Sequence, residues 1–278
     1  MITQTKKRWE IASPIPFEAS QQLAQYSPIL QQLLYNRGIS TPQSARQFLE
    51  ASTPEGCEAL NLMGMQLAVE RIVSAIQRSQ KIAIYGEYDV DGGTATALLT
   101  TFFKGLNADV IGYIPNRFEE GYGLNIDALK TLLSQKVDLV ISVDCGIRSP
   151  LEAEFAKENG LDLIITDHHH PEEALPDAFA IINPKQPGDT YPDKDLAGVG
   201  IAYKLATAVN EEIASKNRLN HDLSNYLDLV ALGTVADIAP LIGENRSLVR
   251  AGLKILNNQQ RQGLKSLIGV AGIQNREI

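Results

Sequence analysis

Residues 81–99, KIAIYGEYDVDGGTATALL, run from an apolar segment into Glu87, Asp89 and Asp91 and then back into a helical pattern. Two further apolar runs end in the same chemistry: DLVISV is followed by Asp144, and LDLIIT by Asp167, His168, His169 and His170. A single acid after a strand commonly caps the next helix or makes a turn. Here three runs end in acids, with no Lys or Arg inside GEYDVDGG, VDCG or TDHHH, and a bound divalent cation is the economical neutraliser. Carboxylates and neutral imidazoles without thiolates suit a hard or borderline ion such as Mg2+, Mn2+, Fe or Zn. Two ions about 3.5–4 Å apart, bridged by one carboxylate, activate water and stabilise the leaving oxygen of a phosphate ester, so phosphoester hydrolysis is the leading chemistry. Neighbouring residues of an extended backbone point in different directions, so His168 and His169 divide the work, one on metal and one toward phosphate. An isolated HHH is also compatible with a solvated turn or an incidental metal chelator.

These side chains can meet only if the three runs are parallel strands of one sheet, because open α/β sheets bind ligands outside the carboxyl ends of their strands. From Met65 onward the chain has the required alternation. QLAVERIVSAIQRS reads as helix, KIAIYG as strand and TATALLTTFFKGL as helix, followed by DVIGYIP, NIDALKTLLSQK, DLVISVDCG, PLEAEFAKENG, LDLIITDHHH and AFAIINP. Five short apolar runs with helices between them predict an α/β fold with a doubly wound, mostly parallel sheet. Beyond Pro187 the pattern turns helical in LAGVGIAYKLATAVNEEIA, LSNYLDLVALGTVADI and NRSLVRAGLKIL, where the Gly-rich LAGVG allows close packing on neighbouring backbone. Residues 1–60 read as a separate helical segment, with Ser40 expected to cap STPQSARQFLE. The main domain is expected over 61–278.

A chain of 278 residues, 44% hydrophobic, has ample material for a core. No apolar run approaches the eighteen or so residues of a membrane span, and MITQTKKRWEIASPIPF lacks the apolar stretch of a signal peptide, so no membrane association and a cytoplasmic location are expected. Cys57 and Cys145 stand far apart and outside any CxxC pair, which gives no support to a disulfide framework or a thiolate zinc site. A net charge of −8 weighs against an open basic nucleic-acid platform but not against a local basic groove.

GEYDVDGGTATALL, GYGLN, ISVDCG, TDHHHPEEALPDAFAIINPKQP, LAGVGIAYKLA and LGTVADIAPLIGENR resemble, in order and spacing, the motifs of the DHH phosphoesterases. Within that family the likeness is to bacterial exonucleases that run 5′ to 3′ on single-stranded DNA, and it spans roughly residues 30–260. The resemblance implies a pair of Mn2+ or Mg2+ ions held by Glu87, Asp89, Asp144, His168 and Asp237, with Asp144 as the bridge. It implies catalytic roles for Asp89, Asp144 and His169, with His169 on the scissile phosphate. It also places Asn245 and Arg246, in the ENR-like segment, at the substrate or in support of the metal site. Read by itself, GTVADIAPL is a helix end with a harmless carboxylate at Asp237.

Two departures from the family pattern stand out. Glu87 occupies a position that is usually Asp, and the extra methylene displaces its oxygens by roughly an ångström, so Glu87→Asp is expected to tighten the weaker ion site. Tyr85 stands where some relatives carry a metal-binding His, and a phenol is a poor replacement at neutral pH. After Val270 nothing resembles the DHH-associated or OB-like domains that follow in nucleases of the family, so weak binding of single-stranded DNA is expected of this chain alone. DNA-repair proteins are the expected partners. The alternatives are a phosphoesterase for short oligonucleotides, cyclic dinucleotides or pyrophosphate, and a weakened DHH scaffold that binds a protein partner.

Overall fold

Pro28 breaks the helical pattern that opens the chain, because the residue before a proline is pushed out of the helical region. The computed structural model describes residues 8, 10–118, 121–217, 220–258, 261–274, 276 and 278. Residues 1–7 and 9, which fall in the predicted helical segment, lie outside the described residues. The first compact unit, Met1–Ser52, contains α1 (Phe17–Gln22), α2 (Pro28–Tyr35) and α3 (Pro42–Glu50) around buried Leu23, Leu34 and Ala45. Ser27 caps α2, and Thr41 rather than the expected Ser40 caps α3, in a reciprocal box with Ser44 and with Pro42 at the first helical position.

The second unit is Thr53–Ile278. Residues 53–60, grouped with the N-terminal helices on sequence grounds, belong to this unit because Cys57 and Ala59 enter its core. The Cys57 carbonyl also accepts hydrogen bonds from Lys204 Nζ at 2.5 Å and Tyr191 Oη at 3.1 Å. A 3₁₀ turn at Ala59–Asn61 leads into α4 (Met65–Gln77), β1 (Ile82–Gly86), α5 (Val90–Gly105), β2 (Val110–Tyr113), α6 (Ile126–Ser134) and β3 (Leu139–Val143). Next come α7 (Pro150–Glu158), β4 (Asp162–Thr166), β5 (Ala180–Ile182), α8 (Gly198–Asn217), α9 (Leu227–Ala236), α10 (Gly243–Asn257) and α11 (Gln262–Val270).

The sheet has the order β2-β1-β3-β4-β5, and every pair is parallel. Alternate residues of its strands feed two cores. Ile82, Ile84, Leu139, Ile141 and Val143 pack with residues of α4, α5 and α8, while Ala83, Tyr85, Val140, Leu163 and Ile165 pack with residues of α6 and α7. Burial on both faces explains why β1 and β3 are continuous apolar runs without alternation. The chain leaves β1 toward one edge and β3 toward the other, so the switch point lies between their carboxyl ends, where Glu87 and Asp144 follow. Among the described residues no helix is long and apolar enough to cross a membrane.

Candidate metal centre

The acids after β1 have three different fates. Glu87 is fully buried, and its Oε2 accepts the Gly123 N–H at 2.8 Å while Oε1 accepts the Tyr88 N–H at 3.0 Å. Burial raises its pKa, and the two backbone donors oppose that rise. Asp89 is exposed and caps α5, its Oδ1 accepting the Gly92 N–H at 2.9 Å. Asp91, in the first turn of α5, is 1% exposed and turned inward. Its two oxygens accept the Gly198 N–H at 2.7 Å and the Val199 N–H at 2.8 Å, at the start of α8. A side chain at 198 is impossible: a Cβ there would stand 2.8 Å from Asp144 Cβ and 3.0 Å from Asp91 Oδ2. The Gly of LAGVG therefore lets a helix N-terminus, with its outward N–H groups and positive dipole end, press directly onto two carboxylates.

Asp144 follows β3 in the left-handed region at φ 61°, a conformation uncommon outside glycine and associated with functional sites. It is 1% exposed, and among the described residues neither of its carboxylate oxygens has a hydrogen-bond partner. Burial, followed by the charges of Asp91, Asp89 and Asp167, pushes its pKa far above the carboxylate range. His168 Nε2 is likewise buried without a hydrogen-bond partner among them. That nitrogen lies 3.1 Å from Asp144 Oδ1, 3.8 Å from Asp237 Oδ2 and 4.0 Å from Asp91 Oδ2. Donor atoms around a small divalent cation at octahedral positions are about 3–4.2 Å apart, so this spacing is that of ligands around an ion. Burial lowers the His168 pKa, which keeps the imidazole neutral and able to ligate.

His169 has different partners. Its Nδ1 is 2.7 Å from Asp167 Oδ1, and that hydrogen bond, against the effect of burial, raises its pKa. Asp167 also accepts the backbone N–H groups of His168, His169 and Ile147, so it organises the DHHH turn without facing an ion. The other ring nitrogen, His169 Nε2, is 3.4 Å from the Tyr122 hydroxyl. Tyr122 packs edge-on against Tyr88, and Arg117 lies 4.9 Å above the Tyr88 ring centre.

The structure thus gathers Asp144, His168 and His169 into one group of possible ligands and Asp91, His168 and Asp237 into a second. The expected ligands Asp144, His168 and Asp237 meet there, whereas Glu87 is spent on backbone at Gly123 and lies in neither group. Asp91, expected only as one of three clustered acids, takes the inward place. A signal for it was present, since Asp91, Ala95, Leu98 and Phe102 form the buried stripe of α5 and an acid on such a stripe requires a partner. Asn245 is fully buried and cannot touch a substrate, which corrects the substrate-binding expectation for it; Arg246 is half-buried. Tyr85, also fully buried, donates to the Gly123 carbonyl at 2.9 Å.

Residues 81–234 match the DHH family, N-terminal domain. The chain is 44% identical over 270 residues to the single-stranded-DNA-specific exonuclease RecJ of Bacillus subtilis (strain 168), covering 96% of this chain and 33% of that protein. It is 36% identical over 256 residues to RecJ of Escherichia coli (strain K12), covering 89% of this chain and 44% of the relative. Among solved structures it resembles RecJ in complex with Mn2+ from Thermus thermophilus, with a TM-score of 0.78, 30% identity and coverage of 95% of this chain and 37% of that one. A second crystal structure, of exonuclease RecJ bound to manganese, gives a TM-score of 0.70 at 35% identity, over 78% of this chain and 54% of that one. The chain spans between a third and a half of the length of these two curated relatives.

Proposed function

The chain belongs to the DHH family, and from that premise we propose that its second unit is the catalytic core of a metal-dependent phosphodiesterase that removes nucleotides from the 5′ end of single-stranded DNA. The observation that carries this reading is Asp144: a buried carboxylate with both oxygens unpartnered among the described residues, 3.1 Å from an unpartnered imidazole nitrogen and surrounded by further acids. Such an arrangement is costly unless cations enter it. Mn2+ or Mg2+, two ions by this reading, supplies the charge neutralisation and the activation of water.

This chain's residues then divide the remaining work. His168 is common to the two groups, and the role proposed for Asp144, 3.1 Å from the His168 Nε2 in the group with His169, is that of the carboxylate bridging toward Asp91 and Asp237. Burial raises the Asp91 pKa to about 6, and the Gly198 and Val199 N–H groups orient the carboxylate and oppose that rise. Asp89, exposed at the start of α5, adds charge beside Asp144 and keeps its proposed place in the site. His169, tied through Nδ1 to Asp167, presents Nε2 toward the Tyr122 hydroxyl, where it can donate to a phosphate oxygen. Substrate preference, direction of travel, a cytoplasmic location and a role beside DNA-repair proteins are taken from the resemblance to RecJ and belong to this proposal.

The reading as a weakened scaffold rests in part on Glu87 as an imperfect ligand, and the bond from the Gly123 N–H to Glu87 Oε2 supports a different role for that side chain. The test is turnover in Mn2+ on a 5′-phosphorylated single strand, compared with its duplex, with a dinucleotide and with pyrophosphate. Release of mononucleotides from the single strand at the highest rate is expected. Faster turnover of the dinucleotide or pyrophosphate would replace this reading with that of a small-substrate phosphoesterase.

A further inference from the structure

Asn245 has no exposure, yet the hydrogen bonds of its amide run to segments that carry the metal groups. Its Nδ2 donates to the Asp195 carbonyl at 2.6 Å and to the Pro240 carbonyl at 3.2 Å, and its Oδ1 accepts the Ala197 N–H at 3.3 Å. Asp195 and Ala197 lie in the segment that immediately precedes Gly198 and Val199, whose N–H groups hold Asp91. Pro240 lies three residues after Asp237. One buried amide in the first turn of α10 therefore ties together the supports of both carboxylates in the group Asp91, His168 and Asp237. In the other group, Asp144, His168 and His169, the turn that carries both histidines is held by Asp167, and the three bonds of Asn245 do not reach that turn.

The same loop is fixed from a second side. Asp193 accepts the Glu244 N–H through Oδ2 at 2.6 Å and the Asp195 N–H through Oδ1 at 3.1 Å. Glu244 accepts from Tyr191 Oη at 2.5 Å and pairs with Lys204 of α8. These contacts anchor the loop to α10 as a whole, while Asn245 also reaches the segment beyond Asp237.

We propose that Asn245 is a positioning residue that sets the separation of Asp91 and Asp237, and so the affinity of one of two ion sites, without touching the substrate. The proposal rests on the reading that Asp91, His168 and Asp237 hold an ion. Outer partners of metal ligands typically contribute about 10- to 100-fold in affinity or activity.

Calorimetric titration of the 278-residue chain with Mn2+ tests that reading first: wild-type protein that takes up no Mn2+ would remove it. Given uptake, Asn245→Ala and Asn245→Ser are compared with Ile72→Val, a truncation in the core that touches neither group. Circular dichroism and the melting temperature of each metal-free protein report folding. Both Asn245 variants are expected to weaken one class of Mn2+ site at least about tenfold and to leave the other within about threefold. At saturating Mn2+ they are expected to recover turnover with an unchanged KM for single-stranded DNA. Ile72→Val is expected to lower the melting temperature alone. Equal weakening of both classes in step with lost stability, no change in either class, or a raised KM at saturating Mn2+ would overturn the assignment. If both Asn245 variants fail to fold, the amide is a general structural element and the proposal falls.

Discussion

Glu87 Oε2 accepts the Gly123 N–H at 2.8 Å, while the Tyr85 hydroxyl donates to the carbonyl of the same residue at 2.9 Å. Two side chains from the end of β1 thus grip both polar groups of a glycine at φ 84°, the residue next to Tyr122. Asn125 Nδ2 adds a hydrogen bond to the Tyr85 hydroxyl at 3.1 Å. The two departures from the family pattern therefore act together, and what they hold is the segment facing His169.

This reverses the outcome expected from sequence for Glu87→Asp. The shorter side chain cannot reach Gly123 from the same backbone, and a buried charge-assisted hydrogen bond is lost, a cost of about 1–3 kcal/mol. Chemical denaturation should record that loss, Mn2+ affinity should change less than about threefold, and KM for single-stranded DNA should rise as Tyr122 loosens. Tighter Mn2+ binding in this variant would return Glu87 to the ligand set.

Asp144→Asn should make the metal-free protein more stable and the enzyme inactive. Its carboxylate is buried beside Asp91, Asp89 and Asp167, and burial with like charge raises its pKa to about 10, so at neutral pH the metal-free fold must take up a proton that the amide does not need. A gain of about 1 kcal/mol corresponds to about 2–4 °C in melting temperature for a domain of this size. In wild-type protein, Mn2+ at a hundred times its dissociation constant should add about 2.7 kcal/mol per site, and that increment should largely vanish in the variant. Melting curves in EDTA and in Mn2+ check both halves, and a variant less stable than wild type in EDTA would contradict the first.

His168→Ala should remove Mn2+ binding, because its Nε2 lies within 4.0 Å of three carboxylates and belongs to both groups. His169→Ala should lower turnover by two orders of magnitude or so while reducing affinity for Mn2+ far less, since its Nδ1 is engaged by Asp167. Titration of both variants, with single-turnover rates for the second, separates the roles. Equal loss of Mn2+ by the two would place His169 on the metal.

The central strands are legible because a sheet covered on both faces writes them as nearly continuous apolar runs, and the helices between them keep their own period. Asp144 and His168 were legible as strand-end residues of a parallel sheet. Asp91 is harder: Asp89 caps α5 and Asp91 lies two positions on in its first turn, and the inward one is decided by Gly198, 107 positions away. Asp237 ends a helix rather than a strand, so only resemblance to a family drew attention to it. Glu87 has the composition of a ligand, while the partners its oxygens hold are the backbone N–H groups of Gly123 and Tyr88, which no side-chain pattern records.

Ile238, the residue after Asp237, gives a test of how the α9 end is built. It sits at φ 60° and is 88% exposed, a rare state for a β-branched residue. Its N–H bonds to the Val235 carbonyl at 3.2 Å and the Ala239 N–H to the Thr234 carbonyl at 3.3 Å, the paired bonds of a helix end that usually places glycine there. The left-handed conformation costs an L-residue about 1–2 kcal/mol, and glycine avoids it. Glycine also enlarges the unfolded ensemble, which takes back about 0.4–1 kcal/mol. Ile238→Gly should therefore stabilise the fold by about 0.5–1 kcal/mol with Mn2+ affinity unchanged, because the turn that carries Asp237 keeps its hydrogen bonds. Denaturation midpoints with unchanged slope, together with Mn2+ titration, decide the point. A destabilised variant would mean that the exposed side chain packs against a surface this turn needs, and weakened Mn2+ binding would mean that the strained backbone itself aims Asp237.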